Sequence, residues 1–121
     1  MNINSIIPLS LIKIEDGGYH LMINVTINDK NAKMIVDTGA SKTVFDFNSI
    51  KSYINNEKLI DNEVLSTGLG SNSLSSKFVN IKNLKLGEIE IKRYKAVIID
   101  MANVIETYTK LGLEPFVGIL G

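Results

Sequence analysis

Over much of the chain apolar residues recur at every second position, the period of a strand with one face buried. From Tyr19 to Ile27, Leu21, Ile23, Val25 and Ile27 alternate with His20, Met22, Asn24 and Thr26, and Met22 alone puts a large apolar group on the otherwise polar side. Asn28-Asp29-Lys30-Asn31 is a cluster of turn formers. The chain is then predicted to return as a strand over Ala32 to Val36. Its last three residues, Met34-Ile35-Val36, are continuously apolar, as expected of a central strand covered on both faces. A first strand is predicted over Leu9 to Ile14, closed by the Asp16-Gly17-Gly18 turn.

Beyond this hairpin, Thr43-Val44-Phe45 reads as a short extended piece. Asp46 is placed to cap a brief helix with Phe47, Ile50, Tyr53 and Ile54 on its apolar face. Val64 to Thr67 is extended and leads into Gly68-Leu69-Gly70 and a polar loop from Ser71 to Ser76. Phe78 to Leu86 and Glu88 to Lys92 form a predicted hairpin about Gly87, with Leu84, Leu86, Ile89 and Ile91 inward. Ala96 to Ile99 reads as a further buried strand. Asn103 to Leu111 has a helical period, with Val104, Ile105, Tyr108 and Leu111 on one face and Gly112 as its stop. Phe116 to Leu120 is a last apolar strand. The class is all-β with one or two short helices, and no internal repeat or low-complexity linker interrupts it.

Composition narrows the function. With 121 residues there is room for one modest core, and 45% apolar against 21% charged residues is an ordinary globular balance. Thirteen basic residues balance thirteen acidic ones. Lys82, Lys85, Lys92, Arg93 and Lys95 are interleaved with Glu88 and Glu90, which describes a solvated hairpin face rather than a nucleic-acid footprint. There is no cysteine, which excludes disulfides, thiol catalysis and thiolate metal sites. His20 is the sole histidine, so a His-based metal site or a Ser-His-Asp triad would hang on one residue; a surface or satisfied strand histidine is the expectation. No metal or other cofactor is expected. The apolar segment Met1 to Ser10 has no basic residue before Lys13, and no apolar run reaches spanning length. A soluble, cytoplasmic protein with no nucleic-acid or membrane partner is the expectation.

The chemistry concentrates at Asp37. Three apolar residues deliver this aspartate directly into Thr38-Gly39, and a carboxylate ending a buried strand is costly unless something uses it. Glycine lets the backbone turn sharply, and the threonine hydroxyl can fix the loop by hydrogen bonding. Water-mediated amide hydrolysis needs a rigid carboxylate of this kind, opposed by a second one that shares its proton. The tripeptide by itself is weak evidence, expected by chance in roughly one chain in forty of this length. Its surroundings add weight: a hairpin ahead, Ala40-Ser41 behind, Gly68-Leu69-Gly70 further on, and Gly118-Ile119-Leu120-Gly121 near the end.

On Met34 to Ser41, Gly68-Leu69-Gly70 and Ile119-Leu120-Gly121, the sequence resembles the retropepsin-like aspartic proteases, particularly the single-domain bacterial type. The resemblance implies a retropepsin-like β-barrel lobe spanning residues 1–121. It implies Asp37 as the catalytic carboxylate, Thr38 as a hydroxyl that interlocks with its counterpart, and Gly39 with Ala40 lining the substrate floor. Ser41 would join the substrate-binding loop. Gly68, Leu69 and Gly70 would be the tip of a flap over a peptide or protein substrate. The apolar-apolar-Gly segment would pack beneath the catalytic loop. The family usually continues into a helix and a final strand, whereas this sequence stops at Gly121. That implies a fragment of a longer protein or a reduced dimer contact. Asp37 is the one aspartate in an Asp-Thr-Gly turn, so its partner is expected from a second copy or a tandem second domain.

Blander uses of the same residues exist. Asp37 could form a simple Asx turn, Gly68-Leu69-Gly70 a plain surface turn, and Ile119-Leu120-Gly121 an ordinary strand end. Ser41 and Thr43 read as turn-stabilising hydroxyls, and Tyr53, Tyr94 and Tyr108 as core. Beside an endopeptidase stand a catalytically silent module for dimerisation or peptide binding and a regulatory domain of a larger protein.

Overall fold

The computed structural model describes residues 6–13, 18–54, 60–61 and 77–121. Within them lie β1 (Leu9–Lys13), β2 (Tyr19–Ile27), β3 (Lys30–Val36), β4 (Val44–Asp46), α1 (Phe47–Ile50), β5 (Ile60–Asp61), β6 (Lys77–Leu86), β7 (Ile89–Ile99), α2 (Ala102–Lys110) and β8 (Gly118–Leu120). The strands form one sheet in the order β1-β2-β3-β8-β4-β7-β6-β5, and a further β2–β6 pairing closes six of them into a barrel.

The β2–β3 hairpin follows its sequence pattern closely. Asn28 and Asp29 turn the chain with φ of 49° and 69°, the left-handed pair that a tight two-residue hairpin loop requires and that Asn and Asp tolerate. Register then sets Ile23 opposite Met34 and Leu21 opposite Val36. Asn28 also closes the barrel: its amide donates to the Asn83 carbonyl (2.8 Å), and its Oδ1 accepts from the Asn83 amide (3.0 Å).

Burial falls into two clusters. The larger joins Ile23, Val25, Ile27, Met34, Phe45, Val79, Ile81 and Ile98 from the strands with Ile50 of α1. The second, made of Met22, Ile35, Met101, Leu113 and Phe116, is covered by Ile105, Tyr108 and Leu111 of the α2 region. Met22 is therefore the polar-side exception because α2 packs over that face. Met34 and Ile35 are buried in different clusters, as a strand covered on both sides should be.

Several expectations change. α1 ends at Ile50, so Tyr53 and Ile54 lie beyond it, and the last strand spans Gly118–Leu120 rather than Phe116 to Leu120. Ala96–Ile99 is not a separate strand: β7 runs from Ile89 to Ile99, pairing Ile81↔Tyr94 and Asn83↔Lys92 on either side of Arg93. Arg93 has φ of 57°, a local kink that ends the visible alternation without ending the strand. Ile89, expected inside, is 38% exposed at the hairpin end, and Val104 is 41% exposed on α2. Tyr53, Tyr94 and Tyr108 are partly buried against the clusters. Gly112 ends α2 with φ of 97°, in the role expected of it. The predicted extended piece Val64–Thr67 and the loop to Ser76 lie outside the described residues. Among the described residues no helix is long and apolar enough to cross a membrane.

Candidate active site

Asp37 follows directly on β3. Its backbone amide donates to the Leu120 carbonyl of β8 (2.9 Å), extending the parallel β3–β8 ladder by one bond. The loop then tightens on itself. Gly39 N–H donates to Asp37 Oδ1 (2.9 Å), and the Ala40 amide donates to the Asp37 carbonyl (3.1 Å). The Asx turn considered as a bland use is therefore present, and it fixes one carboxylate oxygen. Oδ2 has no hydrogen bond among the described residues. Burial stops short of the aspartate: Met34 and Ile35 are buried, Val36 is half-buried, and Asp37, Thr38, Gly39 and Ser41 are exposed. The desolvation cost expected for a strand-end carboxylate does not arise in a single copy of the chain.

β8 passes beneath this loop. It lies between β3, to which it is parallel, and β4, to which it is antiparallel. The approach is close enough to need glycine. A Cβ on Gly118 would overlap the Val44 carbonyl, and one on Gly121 would lie 2.6 Å from the Lys42 oxygen and 2.9 Å from the Ala40 oxygen. Gly121 N–H also donates to Thr43 Oγ1 (3.1 Å), which gives that hydroxyl a structural use. The Asp37–Thr43 loop is thus held from below by the Gly118–Gly121 segment, while Gly68, Leu69 and Gly70 lie outside the described residues.

Two other aspartates, Asp46 and Asp100, are committed elsewhere. Asp46, 2% exposed, accepts from Ser49 N and Ser49 Oγ through Oδ2 (2.8 and 2.7 Å) and from Met101 N through Oδ1 (2.9 Å). Burial alone would raise its pKa, but the Ser49 hydroxyl and the Met101, Ser49 and Asn48 amides outweigh that and hold it below the usual carboxylate range. Asp100 accepts from the Ala102 amide (2.9 Å) at the start of α2. Among the described residues no group of three His, Asp or Glu side chains converges to hold a metal ion.

Beside Asp37 and Thr38 opens a hollow of about 310 Å³ that the sequence reading did not foresee. Leu21, Ile35, Val36 and Ile119 give it an aliphatic lining, and Tyr19, His20 and Tyr108 bring three rings to it. His20 and Tyr108 meet edge to face, with centroids 4.8 Å apart and an interplanar angle of 73°. Met22 held the available clue. It shares its side of β2 with His20, and its apolar character required a cover that α2 supplies.

The family model for aspartyl protease matches residues 23–121. The chain matches no curated protein. Among solved structures it is similar to the crystal structure of a retropepsin-like aspartic protease from Rickettsia conorii, at 16% identity and a TM-score of 0.51, over 100% of this chain and 80% of that one. At that identity the likeness concerns the fold.

Proposed function

From the chain's membership of the aspartyl protease family, we propose that it is an aspartic endopeptidase that hydrolyses peptide bonds with water activated by a pair of Asp37 residues, one from each of two lobes. The observation that carries this reading is the fixed Asp37 carboxylate: Gly39 N–H holds Oδ1 at 2.9 Å, while Oδ2 is unengaged among the described residues. Two such groups facing each other share one proton, because like charges at close range cannot both ionise. The ionised member takes a proton from water as it attacks the carbonyl carbon. The protonated member donates to the carbonyl oxygen as negative charge develops there. Thr38 interlocks the two loops, and Gly39, Ala40 and Ser41 form the substrate floor, with Gly68, Leu69 and Gly70 as the flap. The peptide binds as an added strand.

Asp37→Asn should lower peptide cleavage by about 10²–10⁴-fold, the usual weight of a positioned acid–base group. Cleavage of a peptide library at mildly acidic pH by both proteins tests this, and equal rates would remove Asp37 from the mechanism. A non-hydrolytic dimerisation or peptide-binding module is the second reading, favoured by the exposure of Asp37 in a single copy. It predicts peptide binding without cleavage by a dimeric wild-type protein.

A further inference from the structure

We infer that the hollow beside Asp37 receives the substrate side chain next to the scissile bond, and that His20 makes it favour a flat, uncharged side chain with a polar tip over a purely apolar one. The inference rests on the endopeptidase reading for the word substrate, and on geometry for the rest. Asp37 and Thr38 themselves line the hollow, so a side chain lodged there belongs to a residue whose backbone lies at the carboxylate. At about 310 Å³ the space is far larger than the ~30 Å³ share of one water and can take an aromatic ring.

Its lining decides the class. The floor is aliphatic, and the one carboxylate in the lining is Asp37. A charged guest would be desolvated against hydrocarbon or would engage the carboxylate that has to serve water. An uncharged ring avoids both and meets the rings of His20 and Tyr108 at their edges. That wall is already ordered: Tyr108 also meets the Phe116 ring, with centroids 6.0 Å apart, so less side-chain freedom remains to be lost on binding. Among the described residues the His20 ring makes no hydrogen bond, and its close ring contact is with Tyr108. An imidazole carries at least one N–H donor in either protonation state, and a phenol or carboxamide oxygen can accept from it.

The sole histidine also provides the test, because its imidazole Cε1–H gives one NMR signal per chain, with no other histidine to confuse it. The full chain carrying Asp37→Asn, which leaves bound peptide uncut, is titrated with matched peptides differing at one residue: Tyr, Phe or Gly. The Tyr peptide should move the His20 signal and bind about three- to tenfold more tightly than the Phe peptide, the range of one net hydrogen bond. His20→Phe added to this background keeps a ring against Tyr108 and should bring the two affinities together. Should that variant fail to fold by circular dichroism, Tyr108→Phe, which keeps the wall, should leave the preference for Tyr in place. A His20 signal unmoved at saturation with the Tyr peptide overturns the inference, as does a Tyr preference that survives His20→Phe or vanishes in Tyr108→Phe. Failure of the endopeptidase reading looks different: wild-type protein would cleave none of the peptides while the signal still moved.

Discussion

Asp37 and Asp46 show one residue type serving opposite ends. Asp37 is exposed with one oxygen held, and Asp46 is buried with both oxygens engaged. Asp46 ties the end of β4 to the start of α1 and to Met101, at the start of α2, so replacing it leaves buried amide donors without an acceptor. Asp46→Ala should cost about 2–3 kcal/mol, measured by urea unfolding at neutral pH. The folded pKa of Asp46 is depressed, so its contribution is present above the unfolded value of about 3.9 and is lost as pH falls through the folded one. Wild-type stability should therefore decline below about pH 4, and the Asp46→Ala variant should decline less over that range. Unfolding curves at pH 5 and pH 3 test this, and parallel losses in both proteins would contradict it.

Among elements, β8 is the most constrained. Gly118→Ala should force β8 and β4 apart and cost about 1–3 kcal/mol, the range of overpacking in a tight core. A thermal melt reads this as a lowered midpoint, and an unchanged midpoint would mean that the strands tolerate a wider spacing. The elements most legible in the sequence were those whose pattern and punctuation agree. The β2–β3 hairpin combined strict alternation with left-handed turn residues, and α1 combined Asp46 with an apolar face. β7 was read as two pieces because Arg93 breaks its alternation, although the pairing with β6 continues beyond it. The Asp-Thr-Gly turn was legible because its chemistry is local. The hollow was not, because His20 and Tyr108 meet only when α2 folds back over β2, and no local spacing encodes that contact.

At the scale of the molecule, the proposed dyad ties function to assembly. If the second Asp37 comes from a separate copy, specific activity should rise with protein concentration until dimers dominate and then level off. Activity measured beside sedimentation over the same range checks this, and a rate per chain that stays constant while the protein is monomeric would count against a two-chain site. The described strands close into a barrel, and Asn28 with Asn83 fastens the β2–β6 seam, so each copy would bring a preformed loop to that encounter. The order of the sequence has a consequence for biosynthesis. The segment that braces the Asp37 loop bonds to Thr43 from a position 78 residues later. A growing chain therefore carries its loop without support until that segment has left the ribosome, and hydrolytic power of the kind proposed here would stay latent until then.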